Sequence, residues 1–423
     1  MNLRAFYPPI LSALLIAGCG GSNDGDPAAR ADYPGRFQLS VKNPAAAGRT
    51  DEAVLLNVSE IKAKFPGFNP GAFIVLSGGK ELASQADDLD GDGAPDRIVF
   101  VSDFKPKQKK AFLVRYASEG IRTRNYPKRT QAELSRKTGG RFKNRKYIGG
   151  AFENVQSLRV PPEHTDHSFF IRYEGPGWES DRAGYRFYLD WRNAIDFFGK
   201  RTFGMVLQNV GQDGFDSYHA LSDWGMDVLK VGESLGIGTI GTWLDGRAER
   251  VARTDSVFCR IAANGPVLSR VHTEYSGWKA GSMKTDLVSD LSITAGSRMT
   301  RHDVRVKGGA ANLCTGIVRM DSTQVLKREA ANGEWTYLAT WGKQSLNNDL
   351  LGLAVLYRAG DLIETAEDAF SHVVVLKPAD GKLTYYFLAA WELEPAGFRS
   401  AEAFSVYLDA MAAGLNAPLV AAF

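Results

Sequence analysis

Between Tyr173 and Trp243 the chain crowds aromatic and charged residues among glycine-rich turns, in a pattern that suits polar, ring-shaped ligands such as sugars. Breaking a sugar chain beside a uronate carboxylate by β-elimination needs a cation or neutral acid on that carboxylate. It also needs a base for the adjacent proton and a donor for the leaving oxygen. His219 is the candidate base, Tyr185 the candidate donor with Tyr218 as the alternative, and Arg182 the candidate cation with Arg192 as the alternative. Trp178, Glu179, Arg186, Arg192, Tyr218, Trp224 and Asp227 are candidate substrate contacts. Hydrolysis would instead need two carboxylates flanking the bond, and a pair of the Glu179 and Asp227 kind stays open. A third reading has no chemistry, only glycan binding. Trp178 and Trp224 fit a packed core as well as a sugar platform.

Two further constellations stand outside this block. The run Asp88-Leu89-Asp90-Gly91-Asp92-Gly93-Ala94-Pro95-Asp96 places carboxylates at alternate positions, as a loop wrapped around Ca²⁺ does. Asp88, Asp90, Asp92 and Asp96 are the candidate ligands of a structural calcium ion, and an acidic turn held by its own side chains is the alternative. Val99 stands where an EF-hand carries its bidentate glutamate. On the strand pattern Leu268–Tyr275, Arg270, His272 and Glu274 share one face. His272 and Glu274 are candidate substrate contacts, with a structural ion network equally open. His164, His167 and the adjacent Asp166 could ligate a metal, but the preceding Pro161-Pro162 favours a loop over a helix, and a surface loop is expected. There is no HExxH or CxxC spacing, no nucleophile elbow, no phosphate loop and no dinucleotide fingerprint, so no organic cofactor is expected.

The elements that must position these groups read as strands. Short apolar runs at 53–56, 73–76, 97–101 and 111–114, separated by turn residues, predict a small immunoglobulin-like β-sandwich over 34–120. From 149 to 423 the pattern stays short-stranded, as at Ser168–Tyr173, Ala183–Leu189 and Leu268–Tyr275, without the period of a propeller. It predicts an all-β domain built as a large two-sheet sandwich. Helix is expected near Gly225–Leu235 and over 401–415, where Phe404, Leu408 and Met411 share a face.

Residues 1–18 read as an export signal, with Arg4 ahead of an apolar core at 10–17 that is too short to span a bilayer. Leu15-Ile16-Ala17-Gly18-Cys19 resembles a lipobox, which implies acylation at Cys19, a membrane anchor, and a polar tether over 19–33. Gly20 after the cysteine is similar to lipoproteins of the bacterial outer membrane, and implies a periplasm-facing location. Cys259 and Cys314 remain, either as a disulfide or as two buried thiols. The formal net charge of +3 is too small to argue for nucleic acid. One stretch departs from this balance: 121–148 is a basic connector in which Arg122, Arg124, Lys128, Arg129, Arg136, Lys137, Arg141, Lys143, Arg145 and Lys146 face Glu133 alone. Such a stretch suits an acidic polysaccharide or lipid headgroups, or a solvated loop.

Several longer motifs resemble one family. They are Gly175-Pro176-Gly177-Trp178-Glu179-Ser180, Tyr185-Arg186-Phe187-Tyr188-Leu189-Asp190, Asp196-Phe197-Phe198-Gly199-Lys200 and Ser222-Asp223-Trp224-Gly225-Met226-Asp227-Val228-Leu229-Lys230. With Lys128–Ser135 upstream, and Trp341-Gly342-Lys343 and Ala390-Trp391-Glu392 downstream, they are similar to the bacterial family known as domain of unknown function 4861. The resemblance implies a galactose-mutarotase-like supersandwich and a setting in polysaccharide degradation. Gly79–Leu82 and Gln85 resemble the N-terminal sandwich of exo-acting rhamnogalacturonan lyases. The family name assigns no reaction, so no catalytic residue is implied by it.

Overall fold

The structure, a computed structural model, describes residues 27–423 apart from 215 and 332. The expected signal peptide, Cys19 and most of the expected tether lie outside the described residues. A short helix, Pro27–Asp32, leads to Tyr33, which is buried with Ile74 and Leu76, so packing begins at the end of the stretch expected as tether.

The first body is a two-sheet sandwich. Gly35–Lys42 alternates outward and inward residues, and buries Phe37, Leu39 and Val41 as a period of two requires. It lies in a five-stranded sheet ordered Val420–Ala422, Gly35–Lys42, Lys109–Tyr116, Phe73–Ser77, Lys80–Leu82. Opposite it stand Arg49–Asn57, Arg97–Phe104 and Ser84–Asp87. Phe100 and Phe112 meet edge to face with ring centroids 4.9 Å apart at the centre of this core. Each such buried ring contributes roughly 1.5–3 kcal/mol. The last strand comes from the far end of the chain, pairing Val420 with Lys42.

The second body is larger. One layer is a nine-stranded antiparallel sheet in which Leu268–Ala280, Met283–Thr294, Thr300–Val306 and Lys382–Trp391 are the central strands. The other layer is made of two five-stranded sheets. One is ordered Gly225–Asp227, Ile195–Lys200, Gly184–Phe187, Gly177–Ser180, Thr130–Glu133, and the second is built around Leu313–Val318 and Ser371–Leu376. Residues of all three sheets share one core, with the Tyr185 ring 5.5 Å from that of Phe387 across the layers. The fold is therefore all-β and sandwich-built, as expected. The expected C-terminal helix spans Ala401–Asn416, capped by Ser400 accepting from the Ala403 N–H at 3.2 Å. Phe404, Leu408 and Ala412 seal it to the outer face of the nine-stranded sheet, where Trp341, Ala354 and Ala390 await it. Ala412, one residue beyond the expected Met411, is the third fully buried member of that stripe, and Met411 is partly buried beside it.

The two bodies are joined by side chains with no freedom to spare. The Gln85 carbonyl oxygen accepts from the N–H groups of Val267 and Leu268 at 2.8 and 2.9 Å, and its amide donates to the Leu268 carbonyl at 3.0 Å. Arg129 bonds Asp51 of the small sandwich and Asp181 of the large one, each at 2.7 Å.

Three expectations are corrected. The basic stretch 121–148 is not all connector: Thr130–Glu133 is a buried strand paired with Gly177–Ser180, and Ser135–Thr138 pairs with Ala151–Asn154. Gly225–Leu235 is not helical but a short strand followed by turns, because Gly225 (φ 133°) and Gly232 (φ 55°) take backbone angles outside the helix. Ser168–Tyr173 is not a strand, since Phe169 and Tyr173 both have positive φ. Of the two alternatives open for Cys259 and Cys314, the structure has the buried thiols, on strands of different sheets, and no disulfide. Burial pushes the Cys259 thiol up to about 12.

A candidate site around Arg186

Arg186 leaves the strand Gly184–Phe187 into a wholly buried position and acts as a hub. It donates to Asp196 Oδ2 through Nε and Nη2 (3.1 and 2.8 Å), to Asp227 Oδ2 (2.5 Å) and to the hydroxyls of Tyr218 and Tyr188 (2.9 and 3.2 Å). Tyr188 in turn donates to Asp196 at 2.5 Å. Register explains the convergence: Arg186 lies opposite Asp196 on the neighbouring strand, and Phe198 two residues on lies opposite Asp227. Gly225 makes the last approach possible, since a Cβ there would sit 1.8 Å from the Gly199 carbonyl oxygen. Burial and the nearby Asp227 charge push the Asp196 carboxyl up to about 6.

His219 stands where this network meets solvent. It lies on the turn Ser217–His219, its side chain is 42% exposed, and its Nε2 is 3.4 Å from Asp227 Oδ2. The preceding Tyr218 is buried, with its ring 4.7 Å from the imidazole, and burial raises its pKa so that the hydroxyl keeps its proton. Trp224 is half-buried, edge-on to Phe198 at 6.0 Å, on the rim of the same turn.

A second imidazole reaches the surface at the other end. His167 pairs with Asp166, and its backbone N–H donates to Glu174 at 2.9 Å. Arg192 bonds Asp166 (2.8 Å), Glu174 (2.9 Å) and Asp190 (2.5 Å), and stacks on the Tyr188 ring at 3.9 Å. Glu174 reaches back towards Arg186 at 3.9 Å, so the two ends belong to one network. Burial opposes ionisation of Glu174, but Arg192 and Arg186 prevail and hold it down at about 2. The backbone here is strained: His167, Phe169, Tyr173, Glu174 and Asn193 all have positive φ without being glycine. Such conformations cost on the order of 1–3 kcal/mol each and gather at functional sites. The turn closes because Gly175 passes the opposite chain where a Cβ would lie 1.7 Å from the Phe187 carbonyl oxygen.

The side atoms of Asp166, His167 and Glu174 lie within 4.8 Å of one another, a spacing that fits a metal ion. Arg192 already holds both carboxylates, so a guanidinium stands in the place a cation would take.

Of the residues nominated from the sequence, Arg186, Arg192, Tyr218, His219, Trp224 and Asp227 lie in or beside this network, and the others lie apart from it. Tyr185 is no proton donor for a ligand, because its hydroxyl already donates to the Arg298 carbonyl at 2.6 Å and accepts from the Ala389 N–H at 3.1 Å. Trp178 stacks on it in the core and donates to Thr300 at 2.9 Å. Glu179 is sealed in by Lys200 and by the N–H groups of Val206 and Leu207, so it cannot pair with Asp227 across a glycosidic bond. Its role is to pin the loop that leads to His219. Arg182 lies elsewhere, stacked on the exposed Phe203 at 4.7 Å, and its charge is felt by Asp51 and Glu394. His272 and Glu274 stand on the outer face of the nine-stranded sheet, where His272 bonds Asp290 (2.7 Å) and Glu274 (3.1 Å). Arg270 and Arg305 close on Asp290 as well, which makes this a structural ion network.

The Asp88–Asp96 loop folds around its own backbone. Asp88 accepts from Gly91 and Gly93, Asp96 from Leu89, Asp90 from Asp92, and Asp92 from Ala94. The carboxylates of Asp88, Asp90 and Asp96 lie within 4.8 Å of one another, while Asp92 stands outside that group.

Sequence reasoning set Asp166 and His167 aside as a surface loop and did not group Glu174 with them. The signal of the trio was a pair of acids bracketing a histidine upstream of a Gly-Pro-Gly turn, and the pairing partner Arg192 is close only in space.

The motif resemblance holds for the chain as a whole. Residues 41–420 match the family described as domain of unknown function (DUF4861), and the chain belongs to that family. A Formosa agariphila protein described as "Uncharacterized protein P7" is 21% identical over 413 residues, covering 90% of this chain and 92% of its own. Two Enterococcus faecalis structures, a protein of glycosyl hydrolase family 38 and an alpha-mannosidase, align with TM-scores of 0.45 and 0.41 at 8% identity. Each alignment covers 92% of this chain but only 47% and 46% of theirs, so the chain spans about half the length of those structures.

Proposed function

We propose that the protein acts on uronate-containing glycans by β-elimination, with His219 as the base and Tyr218 as the proton donor. The observation that carries this reading is their meeting on one hub: the imidazole rests on Asp227, the phenol accepts from Arg186, and Asp227 and Arg186 bond each other. His219 takes the proton beside the carboxylate, the carbon–oxygen bond opens, and Tyr218 protonates the departing oxygen. Hydrolysis by a carboxylate pair is the weaker reading, because Glu174, Glu179, Asp196 and Asp227 are each already bonded to a guanidinium or an ammonium. Arg192 across Asp166 and Glu174 supports a mechanism without a metal. Carboxylates outnumber guanidiniums in the network, so part of the cation field for an acidic substrate must come from beside it.

Incubation with a panel of uronate oligosaccharides tests this through the ultraviolet absorbance of unsaturated products. His219→Ala and Tyr218→Phe are expected to lower the rate roughly 10²–10⁴-fold while binding persists. Absence of product from every oligosaccharide that binds would sink the proposal.

Two companion proposals rest on sequence motifs. The lipobox-like residues 15–19 support anchoring through acylated Cys19 at the periplasmic face of the outer membrane, which Cys19→Ala with membrane fractionation tests. The close carboxylates of Asp88, Asp90 and Asp96 support a structural Ca²⁺, for which calorimetry with and without Asp90→Asn is the check.

A further inference from the structure

The strands Arg141–Lys143 and Lys146–Ile148 form a separate two-stranded hairpin, with Phe142 opposite Tyr147 and Lys143 opposite Lys146. Arg141, Lys143, Arg145 and Lys146 are exposed on it, and Arg136 and Lys137 lie half-exposed at its base. Among the described residues, none of these six side chains forms an ion pair with a carboxylate. That contrasts with Arg129, Arg172, Arg186, Arg192 and Arg298, each of which holds an acid.

The hairpin is built to keep its charge. Like charges directly across a ladder destabilise it, yet Lys143 faces Lys146. The two-residue loop Asn144-Arg145 has φ of 49° and 65°, the mirror-image turn whose second position favours glycine, yet it carries arginine. The uncharged face is fixed instead by rings: Phe142 and Tyr147 each lie 5.1 Å from Phe170.

It is also fixed against the candidate site. The Tyr147 N–H donates to the Ser168 carbonyl at 2.6 Å, and Arg145 donates to Thr165 at 3.1 Å, so the hairpin flanks the segment that carries Asp166 and His167. Lys146 and Lys137 lie over Phe169 at 5.6 and 6.0 Å, and Lys137 over Phe152 at 5.1 Å. The result is a cationic hairpin packed beside the Asp166–His167 end of the network.

We infer that this hairpin is the docking surface for the anionic polysaccharide strand, holding successive carboxylate or sulfate groups of the chain while one unit occupies the site. The inference rests on the proposed glycan reading for the class of polymer. Charge complementarity and continuity with the His167 segment select a polymer that runs from one to the other. The tip, Asn144-Arg145, is polar and offers no apolar wedge of the kind a lipid surface takes.

The test measures binding, not turnover, so that it can succeed even if the elimination chemistry fails. Full-length protein is titrated with polygalacturonate, dextran sulfate and uncharged dextran over a range of salt concentrations. The wild type is expected to bind at least one polyanion, more weakly as salt rises, and not dextran. The variant Arg141→Ser, Lys143→Ser, Arg145→Ser, Lys146→Ser is expected to lose at least tenfold in affinity with a shallower salt dependence. Lys143→Arg with Lys146→Arg, which keeps the charge, is expected to bind as wild type, and His219→Ala to retain polymer binding. Unchanged affinity in the fourfold variant, with its melting curve intact, overturns the inference. Binding to phosphatidylglycerol vesicles but to neither polyanion overturns it in favour of a membrane face.

Discussion

At the scale of residues, the decisive fact is how many charged side chains in the block after Tyr173 are buried, among them Glu174, Glu179, Arg186, Asp196, Lys200 and Asp227. A charge leaves water only when paired, and removing one partner of a buried pair costs about 3–5 kcal/mol because the other is stranded. Asp227→Asn is therefore expected to destabilise the protein by that order while also removing the support of His219, measured by urea unfolding beside activity. Tyr185→Phe should behave in the opposite way. It leaves the Arg298 carbonyl without its donor, with a loss of roughly 1–3 kcal/mol, and any turnover by the folded protein unchanged. Comparing the two by unfolding and by rate separates a core tyrosine from a site aspartate. The sequence could nominate His219, Tyr218, Arg186 and Asp227 because their types suit the chemistry. It could not tell them from Tyr185 and Trp178, because a hydroxyl bonded to a backbone carbonyl 113 residues away leaves no local trace.

At the scale of elements, the site exists because irregular turns are held between regular strands. Gly175 and Gly225 let backbones touch at distances no other residue permits. Gly175→Ala should lower stability by more than about 2 kcal/mol and displace Glu174, which thermal melts and loss of activity together would register. Phe404→Ala should cost about 3–5 kcal/mol by loosening the terminal helix from Trp341, without altering the chemistry of folded molecules. The strands of the small sandwich and that helix were legible because alternation and helical spacing are local. The turn-rich segments 168–173 and 225–235 were not: apolar residues suggested a strand and spacing suggested a helix, but tertiary contacts set the backbone angles. The buried strand Thr130–Glu133 was hidden by the basic residues around it, whose charges mark the flanks rather than the core.

At the scale of the whole molecule, the balance of buried acids dictates how stability follows pH. Burial is more than offset by Arg192 at Glu174 and by His272 and Arg270 at Asp290, and both carboxyls are held at about 2. Their contribution is complete above the ordinary carboxylate range and is lost as pH falls towards 2. Asp196 acts with the opposite sign. Its folded pKa, raised to about 6, gives a contribution that is complete below the ordinary aspartate value and is lost as pH rises through 6. Melting temperature against pH should therefore fall steeply on the acid side and decline gently near 6, and Asp196→Asn should remove the second feature alone.

The central claim, elimination rather than hydrolysis, is tested most directly by mass spectrometry of products made from a cleaved uronate glycan in water labelled with heavy oxygen. Elimination opens the carbon–oxygen bond without consuming water, so the expected products are unsaturated fragments whose masses sum to that of the substrate, with no label. Saturated products carrying one labelled oxygen per cleavage would contradict it.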